Sequence, residues 1–291
     1  MRITHDLLDV GFLDIPTSTQ GLSVRFVLGG WIDDFTDSAG HSFISREFPK
    51  NRVVGFGYPD EFITPMMIGD DPGKAIRAVK IGVGVINLVR PGGYRFCEEP
   101  GVVEIFPWEV EEEGERIRFV QDVKEGALGY LLEKEVSLLE GEAGFVVSHS
   151  LENRCDHRPI QTLWYCHPFV APGGMGGDCY VGLPATLRPS YDFIQPLVVD
   201  DAGRHFLPND FSQLSTQLLE FEPADMGLFN RFEVGNRTHD RRLVVEGDFP
   251  LAFLRIWYEP RVYSPEPFYR ITLSPGETAR WRLSHRIIES R

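Results

Sequence analysis

Residues 144–172, GFVVSHSLENRCDHRPIQTLWYCHPFVAP, decide the fold class. A β-strand sends successive side chains to opposite faces, so its residues sort with a period of two. In the first arm Val147, His149 and Leu151 share one face, while Val146, Ser148 and Ser150 share the other. In the second arm Ile160, Thr162, Trp164 and Cys166 separate in the same way from Gln161, Leu163, Tyr165 and His167. With a polar turn between them, the arms read as a hairpin that delivers His167 at its far end. Pro168 lacks a backbone donor, so regular pairing stops there. An imidazole held at a strand terminus, where sheet proteins commonly build sites, is the leading candidate for an acid/base group.

The same rhythm of short apolar runs and turn residues extends in both directions. Val10 to Phe48 reads as a meander with a turn at Asp37-Ser38-Ala39-Gly40. Breaker clusters at 55–60 and 69–73 flank Glu61 and mark a long surface loop, the kind of segment that often carries binding groups. KIGVGVINLV, residues 80–89, reads as one strand with Gly82 and Gly84 on one face. It has neither GxGxxG spacing nor a following helix, so those glycines point to close approach of another backbone or a ligand, not to a phosphate cradle. Glu111-Glu112-Glu113-Gly114-Glu115 reads as a solvated hairpin tip, and Ala171 to Asp178 as a flexible loop shortly after His167. Only DFSQLSTQLLEFEPADMG, residues 210–227, suggests a short helix. Closing strands run from Arg231 to Ile287, and the sum is an all-β chain of large antiparallel sheets with very little helix.

Composition narrows the function classes. Hydrophobic residues at 42% and charged residues at 25% are ordinary for a globular protein, and no run of about 18 apolar residues exists to span a bilayer. A net charge of −14 opposes binding to a phosphate backbone, so nucleic acid is not an expected partner and a neutral, modestly polar small molecule fits better. Cys97, Cys155, Cys166 and Cys179 form no CxxC pair, and the N-terminus shows no export signal, so reduced thiols and a cytoplasmic location are expected.

The second stretch of interest is LAFLRIWYEPRVYSPEPFYRITLSPGETARWRL, residues 251–283. An apolar strand ends in Glu259-Pro260, and Glu266 sits between Pro265 and Pro267, beside Tyr263, Phe268 and Tyr269. Prolines on both sides restrict the backbone, and aromatic neighbours desolvate the carboxylate, which raises its pKa towards a general-base range. A histidine and a glutamate on different strands then form an acid/base pair able to move two protons on one small molecule. A serine nucleophile is not supported, because Ser148 and Ser150 lack a nucleophile-elbow pattern. The spacings of His149, His157, His167, Cys155 and Cys166 match no usual zinc ligand set, so a metal is not expected.

The order of KIGVG, GYLLEKEVSL, HSLEN, TLWYCHPF, SPEPF, LSPGE and WRL resembles the aldose 1-epimerase (galactose mutarotase-like) superfamily, over residues 50–290. The resemblance implies a single β-supersandwich domain over residues 1–291. It also implies a cofactor-independent isomerase that interconverts sugar anomers through the open-chain aldehyde. His167 matches the family's acid. For the base, Glu266 in SPEPF matches one form, and Glu259 at the end of the apolar strand matches the other; Glu266 is favoured. Glu61, Lys80 and Trp257 are expected to contact the carbohydrate, the last because a sugar ring stacks on an aromatic face. The chain lacks the HGG motif that gives better-known members a second active-site histidine. The alternative is a carbohydrate-binding or sensory protein of the same fold without turnover. Either is expected as a monomer or a homodimer.

Overall fold

The computed structural model describes residues 1–19, 25–47, 50, 55–68, 76–90, 94, 101–173, 178–183, 187–189, 198–199, 204–206, 217–223, 230–239 and 241–289. Among them every regular element is a strand, and all pairings are antiparallel. A three-stranded sheet holds β1 (Arg2–His5), β2 (Leu8–Phe12) and β3 (Ile32–Asp37). A four-stranded sheet holds β5 (Met66–Ile68), β6 (Ile76–Lys80), β7 (Gly84–Leu88) and β8 (Val102–Ile105). The six-stranded sheet runs β15 (Leu187–Pro189), β18 (Gln217–Pro223), β21 (Phe253–Glu259), β22 (Val262–Leu273), β13 (Ile160–Cys166), β4 (Asp60–Phe62). One half of the ten-stranded sheet is β16 (Val198–Val199), β17 (Arg204–Phe206), β14 (Cys179–Gly182), β19 (Asn230–Asn236) and β20 (Arg241–Gly247). It continues through β23 (Thr278–Glu289), β12 (Gly144–Asn153), β11 (Leu128–Leu138), β10 (Arg116–Glu125) and β9 (Glu109–Glu113).

The two arms of residues 144–172 keep the expected alternation but do not form a hairpin. β12 lies between β11 and β23 in the ten-stranded sheet, whereas β13 lies between β22 and β4 in the six-stranded one. Their apolar faces meet across the sandwich, with the His149 and Trp164 rings 4.8 Å apart. A two-residue period states which side chains share a face; it does not say whether that face packs against another sheet or continues into a hairpin at its edge. Asn153 makes the crossing. Its Nδ2 donates to the carbonyls of Arg158 and Leu273 at 2.9 Å each, and its Oδ1 accepts from the Cys155 amide. The main core lies between the two large sheets, where Phe145, Val147, Leu151, Trp281 and Leu283 face Ile160, Trp164, Leu254, Ile256 and Ile271.

Three further expectations change. The stretch around Glu61 is not a surface loop: Asp60–Phe62 form the buried strand β4 and Met66–Ile68 form β5, so Glu61 is held by a sheet edge. Residues 80–89 are not one strand: Ile81–Val83 form a turn, closed by the Val83 amide donating to the Lys80 carbonyl, and β7 begins at Gly84. Both glycines have positive φ, and a Cβ at Gly84 would collide with the backbone carbonyl of Glu104 on β8. Close backbone approach is thus the reason for glycine there, as the sequence suggests, while the turn explains its partner. Within 210–227 the described part, Gln217–Pro223, is a strand and not a helix. The acidic run is divided between β9 and its turn. Its Glu111 and Glu113 pair with Arg118 and Arg116, which leaves a charged, exposed edge to the sheet.

Candidate functional site

The site is built on the face of the six-stranded sheet that points away from the main core. On β21 and β22 alternation buries Leu254, Ile256 and Tyr258 inward and sends Arg255, Trp257, Ser264, Glu266 and Phe268 to the other face. On β13 that face carries Tyr165, and two residues further His167, beyond the regular strand. The backbone keeps His167 in place even so, because its amide donates to the Pro59 carbonyl at 2.7 Å and the Phe169 amide donates to Gly57. Edge strand β4 adds Glu61 opposite Tyr165.

His167 and Glu266 meet: Nε2 lies 3.1 Å from Oε1. On the other side of the ring Nδ1 lies 2.8 Å from the Ser264 hydroxyl. Phe169 stacks on the imidazole at 4.4 Å, with Phe26 edge-on at 5.6 Å and Trp257 tilted at 5.7 Å. Both ionisable groups are 3% exposed. Burial pushes the His167 pKa well below the ordinary histidine value, and the nearby Arg25 guanidinium lowers it further. Burial also lifts the Glu266 carboxyl to about 8, although Arg25 and Arg255 pull the other way. Desolvation thus drives both groups towards their neutral forms. A neutral imidazole beside a protonated carboxyl is thereby favoured over an ion pair.

Beside the pair lies a charged cluster around Glu61. Arg25 donates through Nε to Glu61 at 2.8 Å and through a terminal nitrogen to the Tyr165 hydroxyl at 2.7 Å. The Tyr165 hydroxyl also donates to Glu61, as does that of Tyr94, at 2.9 Å. Lys80 Nζ lies 3.7 Å from Glu61 and donates to the Phe62 carbonyl and to Tyr94. Burial alone would raise the Glu61 pKa, but Arg25, Lys80 and the Tyr165 hydrogen bond outweigh it and keep the carboxylate ionised. Burial lowers the Lys80 ammonium to about 8 against the pull of Glu61.

The structure therefore brings His167, Glu266 and Trp257 into direct proximity. Glu61 and Lys80 join one buried network, linked towards the pair by Arg25 and Tyr165. Glu259 is set apart. It lies opposite Val262 at the end of the β21–β22 ladder and pairs with Arg261 at 2.7 Å. Glu266 lies opposite Arg255, four residues back along β21, a separation of about 13 Å at the usual rise of a strand. Two site residues were legible by alternation but not singled out: Tyr165 precedes His167 by two positions, as Ser264 does Glu266. Arg25 lies outside any strand, and no period points to it. Among the described residues no group of three or more His, Cys, Asp or Glu side chains is arranged to hold a metal ion.

The whole described chain superimposes on solved structures at low sequence identity. A galactose mutarotase-like protein from Lactobacillus casei matches with a TM-score of 0.60 and 14% identity, covering 99% of each chain. The chain adopts the galactose mutarotase-like fold. A galactose mutarotase related enzyme from Lactobacillus acidophilus matches at 0.61 and 14%, over 100% of this chain and 97% of that one. Galactose 1-epimerase from Lactobacillus acidophilus matches at 0.58 and 11%, over 99% and 93%. No family model matches the chain, and neither does any curated protein. The mutarotase-like fold is thus shared in three dimensions, while identity this low carries over no residue's role.

Proposed function

We propose that the protein is a cofactor-independent sugar mutarotase of the aldose 1-epimerase type, with His167 and Glu266 as its proton-exchanging pair. The observation that carries this reading is the 3.1 Å contact between His167 Nε2 and Glu266 Oε1 on the mutarotase-like fold. Ring opening needs one proton delivered to the ring oxygen as its bond to the anomeric carbon breaks. It needs another removed from the anomeric hydroxyl as the aldehyde forms. Rotation and reclosure reverse both transfers, so the pair ends the cycle with the proton it began with. Following the family's assignment, the Glu266 carboxyl first passes its proton to His167 Nε2; the imidazolium so formed supplies the ring-oxygen proton and the Glu266 carboxylate takes the anomeric one, which returns the pair to a neutral imidazole and a protonated carboxyl. A sugar entering between Nε2 and Oε1 would replace their mutual contact, and a carboxyl lifted to about 8 exchanges protons readily near neutral pH. Trp257 offers its ring to the sugar face, and the Arg25–Glu61–Lys80 cluster orients hydroxyls.

The test is anomer interconversion, followed by polarimetry or saturation-transfer NMR over a panel of aldoses. His167→Ala and Glu266→Gln should each lower the rate by about 10²–10⁴. Glu259→Gln should leave it near wild type; the opposite ranking of the two glutamates would move the base to position 259. The second reading, a binding or sensory protein, is favoured by the lack of an HGG motif and of the second active-site histidine it supplies. It would show as thermal stabilisation by a sugar without accelerated mutarotation.

A further inference from the structure

We propose that Glu220 is a positioning residue that holds the Arg255 guanidinium off the Glu266 carboxyl, which leaves that carboxyl able to exchange protons with His167 and the sugar. The catalytic half of this inference rests on the mutarotase reading; the contest for Arg255 does not. The side chains concerned stand in one row across the site face of the six-stranded sheet. Glu220 of β18 is the cross-strand partner of Arg255 of β21, and Arg255 is in turn the partner of Glu266 of β22. Continued from the Trp164–Tyr269 pair, the β13–β22 register sets His167 beside Glu266, and their 3.1 Å contact completes the row. Directly opposite side chains start about 4.5–5.5 Å apart at Cβ, well within the reach of an arginine, so Arg255 has a carboxyl on either hand. It takes one of them. Its Nε and a terminal nitrogen donate to Glu220 Oε2 at 3.3 and 2.8 Å, and among the described residues it makes no ion pair with Glu266. The guanidinium rests against the Phe253 and Phe268 rings, 5.2 and 4.9 Å from their centroids.

The two carboxyls differ in what an arginine does to them. The side chains of Glu220 and Arg255 are 26% and 29% exposed, so solvent already supports their charges, whereas Glu266 is buried. An arginine turned onto Glu266 would grip it with a planar fork and hold it ionised. A carboxyl so held has no proton to hand to His167 Nε2 at the start of the cycle. The other groups that face Glu266 are fixed. His167 and Tyr165 come from β13 and its extension, Glu61 from β4 and Ser264 from β22 itself, while burial keeps the Cys166 thiol on the inward side neutral. Arg25 faces it too, but is bonded to Glu61 and Tyr165 within the buried cluster. Neutralising Glu220 therefore leaves Arg255 with Glu266 as the one carboxylate opposite it in the row.

The experiment is 13C NMR of the glutamate side-chain carboxyls of the full chain, with Glu266→Gln used to assign the signal, in parallel with the pH profile of mutarotation. In wild type the Glu266 signal should titrate at about 8. In Glu220→Gln its midpoint should fall by about one pH unit, the effect of an opposite charge brought into contact. The alkaline limb of kcat, where the carboxyl loses its proton, should move down with it. Glu220→Gln combined with Arg255→Leu should return the midpoint at least to the wild-type value, which the loss of a merely structural contact would not do. A midpoint unchanged in Glu220→Gln, or still low in the double variant, would overturn the proposal. The expected titrations in a protein without mutarotation would remove the catalytic reading and leave the restraint of Arg255 by Glu220 standing.

Discussion

At the scale of single residues, the site depends on desolvation exceeding charge pairing. His167 and Glu266 are near enough to form an ion pair, yet burial lowers the imidazole pKa and raises that of the carboxyl, which favours the neutral pair. This has a consequence for stability. The folded-state pKa of Glu266, about 8, lies above its unfolded value of about 4.3, so the protonated carboxyl stabilises the fold fully at low pH. That contribution is lost as pH rises through about 8. Glu266→Gln is neutral at every pH and loses nothing. Wild type should therefore fall in Tm relative to Glu266→Gln between pH 5 and pH 8. Above about pH 6.5 His167 is neutral in the folded and the unfolded chain of both proteins, so the part of the fall between pH 6.5 and pH 8 reports Glu266 alone. A difference that does not vary with pH would show that Glu266 ionises as an ordinary glutamate.

At the scale of elements, two strands carry the site on one face and a second polar cluster on the other. β4 presents Glu61 outward and Asp60 inward, and β13 and its extension present His167 outward and Cys166 inward. Across the sandwich Asp60 pairs with Lys134 of β11 and lies 3.1 Å from His149 of β12, whose ring stacks on Trp281 of β23. Burial alone would raise the Asp60 pKa, but Lys134 and His149 outweigh it and hold the carboxyl near 2. This pair ties three-residue β4, an edge strand, to the opposite sheet. Removing one partner leaves the other charge buried, so Lys134→Met should cost about 3–5 kcal/mol in denaturant unfolding. Asp60→Asn combined with Lys134→Met should recover a large part of that loss. If the double variant is as unstable as the sum of the singles, the pair is not the tie. A lysine at an inward position of β11, in line with Tyr130, Leu132, Val136 and Leu138, is a visible break in the pattern and the signal that a buried partner exists.

At the scale of the whole molecule, the six- and ten-stranded sheets share one core, to which the three- and four-stranded sheets also contribute Val10, Phe35, Val79 and Val85. We expect the chain to unfold as one cooperative unit, with calorimetric and van't Hoff enthalpies equal. Two resolved transitions would divide it into separate domains. The expected all-β architecture was legible because short alternating runs recur throughout and only one segment suggested a helix. The pairing of strands was not, as the separation of β12 from β13 shows.

The sequence by itself determined which side chains share a face, because strand period is a local property of backbone sterics. It thereby placed His167 with Tyr165 and apart from Cys166. It also marked Glu266, through its two prolines, as a carboxylate held rigidly. Only the tertiary structure decided that Glu266 and not Glu259 meets His167, that Arg25 joins them, and that Glu61 and Lys80 are bound to one another. Those outcomes depend on which strands become neighbours, and that is set by the burial of a shared core between segments far apart in the chain.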